Sequence, residues 1–234
     1  MTTPALRGVF VTGTDTGVGK TLVAAGLARL AHRRGIRVVP FKPVETGCAP
    51  DAADARLLWS AAKEPVPERD VCLRRFALPA APAQAAAAQG ATIDLEEVVA
   101  AARSLAARGE LLIVEGAGGL LVPYGDSWTA ADLMERLGLP LVVVARTALG
   151  TINHTALTIR EARRRRLFIK AIVLNRTTAD EAPHERDGHR YVAAATGIEP
   201  LGPIPWAPGT NDPDRLADLV QRALGGAVDD LLRG

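Results

Sequence analysis

Much that would mark a special environment is scarce here. Two cysteines, Cys48 and Cys72, among 234 residues cannot build a disulfide framework, and they suit a reducing cytoplasm. No run of about 18 apolar residues is present, so no transmembrane helix and no membrane partner are expected. Residues 1–8 lack a basic stretch followed by a long apolar one, which predicts no leader peptide. Charge of one sign is also lacking. The 28 basic and 26 acidic residues leave a formal net charge of +2, which argues against a general nucleic-acid binder. No internal repeat and no Pro/Gly/Ser linker divides the chain, so residues 1–234 read as a single domain.

What is present is a short apolar run followed by a helical stretch, several times over. Residues 8–12, 37–41, 111–114, 139–145 and 168–174 read as strands, each apolar and rich in branched side chains. Strands buried on both faces read as continuous apolar runs, and parallel strands need helical crossovers. The pattern predicts an α/β fold: a doubly wound parallel sheet with helices on both faces, of the P-loop NTPase kind. Residues 20–34 read as the first helix, with Gly35 at its C-terminal end. Residues 52–62 read as another helix. The alanine-rich stretch 80–88 is open between helix and compositional drift, and residues 176–188 read as a polar loop.

The strongest signal is GTDTGVGKT at 13–21, between a strand and a helix. It is a variant of the phosphate loop, with five residues between Gly13 and Gly19. Backbone N–H groups at a helix start converge on phosphate, and glycine allows close approach. Lys20 then meets the β- and γ-phosphates, and Thr21 offers its hydroxyl to Mg²⁺. The chain is thus expected to use a nucleoside triphosphate. Lys42, read as the end of the second strand, either joins Lys20 at the phosphates or is a surface lysine. Glu115, read as the end of the third strand, suits the acid that holds Mg²⁺, or a plain capping glutamate. Asp54 in a first helical turn is by itself what the helix dipole favours, and Asn153 by itself reads as a helix cap.

These segments resemble the dethiobiotin synthetase family. The resemblance rests on GTDTGVGKT, KPVETG at 42–47, VEGAGGLLVP at 114–123, LGTINHTALT at 149–158, Asn175, and GPIPW at 202–206, in the family's order and over nearly the whole chain. It implies an ATP-dependent enzyme of biotin biosynthesis that closes a cyclic urea on 7,8-diaminononanoate with CO₂ or bicarbonate, through a carbamate and a carbamic–phosphoric anhydride. It also implies Mg²⁺ on Thr21, Asp54 and Glu115, with Lys42 as catalytic lysine and Lys20 beside it. ATP would lie along Gly17, Val18, Gly19, Lys20, Thr21 and Leu22, near Gly116, Ala117 and Gly118. The base would meet Asn175, Arg176, Pro205, Trp206, Ala207 and Asp214. Thr16 and Thr46 would bind the amine and carbamate end of the substrate. Gly150, Thr151, Ile152 and Asn153, opening a helix, would bind its carboxylate from the other subunit of a homodimer.

Two departures stand out. Ala81-Pro82-Ala83 replaces the family's frequent Ser-Pro-His, and Gly17 replaces an acid seen in some members. A regulatory partitioning-type ATPase is the alternative. Such switches carry an extra lysine early in the loop, where this chain has Asp15, and often a basic membrane helix, where residues 216–232 carry Asp218, Asp229 and Asp230. A corrinoid-type amide ligase would need an amidotransferase domain for which the chain is too short. The run Arg163 to Arg166 reads as a solvated helix end, and the four histidines show no metal spacing. Trp59, Trp128 and Trp206 read as packing residues.

Overall fold

The computed structural model describes residues 6–48, 51–180 and 182–233. Most of the 1–8 stretch read as leaderless therefore lies outside the described residues. In chain order the elements are β1 (Gly8–Gly13), α1 (Lys20–Arg33), β2 (Val38–Thr46), α2 (Ala53–Ala61), α3 (Glu68–Val71), β3 (Cys72–Phe76), α4 (Pro82–Ala88) and α5 (Leu95–Ala106). Then follow β4 (Leu111–Gly119), α6 (Ala130–Leu137), β5 (Leu141–Arg146), α7 (Thr151–Arg164), β6 (Ile169–Asn175), α8 (Gly188–Thr196), β7 (Leu201–Ile204), α9 (Pro213–Leu224) and α10 (Ala227–Leu232).

The seven strands form one sheet in the order β3-β2-β4-β1-β5-β6-β7, and every pairing is parallel. The predicted α/β class holds. Helix α1 packs on β1, β2 and β4 with α2, α9 and α10 beside it, while α5 pairs with α6 and α7 with α8 as a second set. Core residues form one cluster from Val9 to Leu232. β1 is buried along its whole length, as a central strand with covered faces must be.

Two strands run further than expected. β2 pairs with β4 through Val38–Phe41, then with β3 from Lys42 to Thr46. Lys42 therefore marks where β2 changes neighbour, and not its end. β4 runs past Glu115 to Gly119, which pairs with Gly13. The alanine-rich stretch resolves into α4, with Pro82 in its first turn where a missing N–H costs nothing. The apolar residues of 216–232 belong to two helices, α9 and α10. Leu216, Val220, Leu224, Val228 and Leu231 are buried in the core. In the arginine run Arg163, Arg164 and Arg166 are exposed, as a solvated helix end should be, while Arg165 pairs with Asp132, Glu135 and Glu161 and ties α7 to α6. No helix among the described residues is long and apolar enough to cross a membrane.

Candidate active site

The phosphate loop follows β1 at the crevice where the chain's direction across the sheet reverses, the place where open α/β sheets bind ligands. Gly19 takes φ 101°, a left-handed backbone, and a Cβ there would lie 2.2 Å from the Asn175 Nδ2. Only glycine fits that contact. Lys20 is buried, and its ammonium donates to the Asp15 carbonyl at 2.8 Å. Burial holds the Lys20 ammonium down at about 8.

A cavity of about 350 Å³ opens over the loop. Thr16, Gly17, Gly19, Lys20 and Thr21 line one wall. Lys42, Thr46, Asp54, Glu115, Ala117 and Gly118 line the other. Eleven of the expected site residues thus meet around one space. The Thr21 hydroxyl donates to Glu115 Oε1 at 2.8 Å. The Lys42 ammonium donates to the same oxygen and to Asp54 Oδ2 at 3.0 Å. Burial pushes the Lys42 ammonium down, but Glu115 and Asp54 outweigh it and hold it above the ordinary lysine value. Lys42 stays charged.

Glu115 is fully buried, and its Oε2 has no hydrogen-bond partner among the described residues. An orphaned carboxylate oxygen beside a threonine hydroxyl and a second carboxylate is a donor set of the kind a hard divalent cation takes. Among the described residues no group of three or more His, Cys, Asp or Glu is suited to a metal ion. A cation here would therefore complete its shell with the hydroxyl, phosphate and water, as Mg²⁺ does. The residues fit Mg²⁺.

A second space, of about 410 Å³, shares Thr16, Thr46, Ala117 and Gly118 with the first and continues along Pro79 to Pro82 and Val122. It is mostly apolar. Gly118, at φ 67°, lets the chain turn between the two spaces, and a Cβ there would meet Val122 at 2.6 Å.

Other expected residues lie around this centre. Val18 is buried, and its carbonyl accepts from Asn175 Nδ2 at 2.9 Å. Asn175 Oδ1 is buried without a partner among the described residues, so the amide keeps an unused acceptor next to the loop. Arg176 donates its backbone N–H to the Ile204 carbonyl at 2.9 Å, which brings Pro205, Trp206 and Ala207 alongside. Trp206 is 44% exposed, more open than a packing residue; Trp59 and Trp128 do pack, each donating its indole N–H to a backbone carbonyl. Leu22 packs against the core, and Gly116 is buried behind the cavity wall.

Asp214 and the start of α7 lie outside the lining of this cavity. Asp214 caps nothing near it; its carboxylate is held by Arg29 and Arg33 of α1. Gly150 to Asn153 open α7 and do not line the cavity of their own chain; the expectation assigns them to the site of another subunit. Two further residues escaped the sequence reading. Glu45 is buried on the cavity wall and accepts from the backbone of Asp54 and Ala55. Tyr124, fully buried, accepts from the Ala117 N–H at 2.6 Å and so fixes the segment after Glu115. A glutamate inside a strand that reads as ended, and a tyrosine seven residues from its partner, leave no periodic signal.

A family described as an AAA domain matches residues 7–214. The ATP-dependent dethiobiotin synthetase BioD of Anaeromyxobacter dehalogenans (strain 2CP-C) is 50% identical over 204 residues, which cover 87% of this chain and 92% of that one. The protein of the same name from Bacillus licheniformis is 39% identical over 86% of each chain. That of Bacillus subtilis (strain 168) is 36% identical over 86% of this chain and 87% of its own.

Proposed function

The chain belongs to the ATP-dependent dethiobiotin synthetases, within the AAA-domain family, and on that basis we propose how its residues carry the reaction. It is an enzyme that forms dethiobiotin with ATP, in biotin biosynthesis. The whole chain works as one domain in the cytoplasm, on 7,8-diaminononanoate and CO₂ or bicarbonate.

One amine attacks CO₂ to give a carbamate. A carbamate oxygen attacks the γ-phosphorus and releases ADP. The second amine attacks the carbonyl of the resulting anhydride, expels phosphate and closes the urea. Negative charge builds on oxygen at each step, and preorganised cations lower that barrier most. The observation that carries this reading is the buried Lys42 ammonium, held between Glu115 and Asp54 next to the Thr21 hydroxyl.

The backbone of Gly17, Val18, Gly19, Lys20, Thr21 and Leu22 cradles the phosphates at the start of α1. Lys20 exchanges the Asp15 carbonyl for the β- and γ-phosphate oxygens. Thr21, Asp54 and Glu115 would hold Mg²⁺, which when bound supplies Lewis-acid charge to the phosphate oxygens. The backbone of Gly116, Ala117 and Gly118 borders phosphate and carbamate alike. Thr16 and Thr46 bind the carbamate end, and the hydrocarbon lies along Pro79 to Pro82. With alanine at 81 and 83, the polar contacts at the reacting end fall to the two threonines. Asn175 reads the base with its free amide oxygen, flanked by Arg176, Pro205, Trp206 and Ala207.

The substrate carboxylate is taken by Gly150, Thr151, Ile152 and Asn153 of a second subunit in a homodimer. Exposed Leu149 and Ile152 beside that helix start, and exposed Leu121 and Leu157 on a cavity that shares Thr16, support such a contact face. The test is phosphate release from MgATP and bicarbonate, with and without the diamine, with mass spectrometry of the product. Release that depends on the diamine, with a product heavier by one carbonyl less two hydrogens, is expected. Release indifferent to the diamine contradicts the proposal.

A further inference from the structure

Helix α2 begins without a cap of its own. Its N-cap residue is Ala52, whose side chain accepts nothing. The first N–H groups of a helix need acceptors from elsewhere. Here the acceptor comes from β2. Glu45, three residues after Lys42, accepts from the Asp54 N–H at 3.0 Å with one oxygen and from the Ala55 N–H at 2.9 Å with the other. Glu45 is 6% exposed and lines the same cavity as Lys42 and Glu115. A carboxylate at this end also meets the positive end of the helix dipole.

Asp54 is therefore gripped twice by one strand. Lys42 takes its side chain at 3.0 Å, and Glu45 takes its backbone at 3.0 Å. Its side chain is 42% exposed and belongs to the first turn of a nine-residue helix, where ends fray. Without Glu45, only the Lys42 contact would hold the Asp54 carboxylate, on a first turn with no cap.

We infer that Glu45 is a positioning residue, which caps α2 from β2 and so sets the direction in which Asp54 presents its carboxylate to Lys42 and to a divalent cation. The inference rests on the reading of Asp54 as a cation ligand. Partners one step behind a metal ligand commonly change metal affinity by about 10- to 100-fold when removed.

The test uses the full-length protein, with Mn²⁺ and ADP as probes and electron paramagnetic resonance of free Mn²⁺ as the readout. Glu45→Ala is expected to weaken Mn²⁺ binding in the presence of ADP about tenfold. ADP affinity measured in chelator should stay within about twofold. Glu45→Gln keeps one acceptor and should lose about threefold. Asp54→Asn should lose at least as much as Glu45→Ala. Glu45 variants within about twofold of wild type, beside a weakened Asp54→Asn, overturn the inference and leave the reading of Asp54 standing. An unchanged Asp54→Asn overturns both. An equal fall in ADP affinity without metal marks mere structural damage and overturns the inference too. If Glu45→Ala shows no cooperative thermal transition, Glu45→Gln decides by the same mark.

Discussion

Lys42 at the crevice of the sheet and Arg29 on the α1–α9 flank are both buried cations in ion pairs, but their acidic partners differ in exposure. The Lys42 and Glu115 side chains are 4% and 1% exposed, whereas Asp214, the partner of Arg29 and Arg33, is 48% exposed. On the flank both oxygens of Asp214 accept from guanidinium groups and Asp218 accepts from Arg33, while Nη1 of the buried Arg29 is left without a partner among the described residues. At the crevice the unpartnered group is an acceptor, Glu115 Oε2, the kind of atom a cation takes. Buried ions lose hydration at several kcal/mol each, while exposed pairs contribute about 0–1 kcal/mol. A charge cluster that is costly and unfinished is one prepared for a ligand. One built on an exposed carboxylate between two arginines fastens two helices.

The comparison breaks first at Lys42. Lys42→Ala should lower kcat by about 10²- to 10³-fold while ATP affinity changes far less, since it removes a contact strongest in the transition state. Steady-state rates beside equilibrium ATP titration check this, and a kcat within about threefold of wild type removes the role given to Lys42.

Tyr124 probes the buried side without touching a charge. Tyr124→Phe should cost about 1–3 kcal/mol in denaturant unfolding, because the Ala117 N–H loses its acceptor. Burial pushes the Tyr124 phenol up to about 12 from an ordinary 10. Its folded pKa is the higher one, so its contribution is complete below pH 10 and is lost as pH rises toward 12. Wild type should therefore lose stability over that alkaline range more steeply than Tyr124→Phe. Parallel alkaline curves would contradict the burial argument.

The smallest effect belongs to the flank. Asp214→Asn should cost less than about 1 kcal/mol, and high salt should shrink the difference. Arg29 and Arg33 hold the Asp214 carboxyl below the usual aspartate value of 3.8. A depressed folded pKa gives stability that is present above 3.8 and fades as pH falls through the folded value. Wild type and variant should thus converge in acid. ATP affinity should not move; a loss above about threefold would return Asp214 to the nucleotide site.

How much of this was legible follows from what each part depends on. β1, β4, β5 and β6 announced themselves because both faces are covered, which forces apolar runs. β3 is an edge strand carrying Arg74 and Arg75, and β7 holds Gly202 and Pro203, so neither shows such a run. The phosphate loop was readable because its backbone demands glycine. The extensions of β2 and β4 were not, since Lys42 to Thr46 and Glu115 to Gly119 stay in the sheet through neighbours far away in sequence. The arginine partners of Asp214 were not legible either, since an acid in a first helical turn does not show in sequence that Arg29 and Arg33 of a distant helix stand beside it.

The contact between Gly19 and Asn175 has a consequence for descent. The 2.2 Å clearance for a Cβ at 19 means that a side chain there would strike the very amide that holds the Val18 carbonyl. The two positions are 156 residues apart in sequence, yet they form one heritable unit. A lineage that altered position 175 would disturb the loop around Val18, and one that altered position 19 would displace the Asn175 amide. Neither mutation has a neutral first step, so substitutions at the two positions are expected to arise together or not at all.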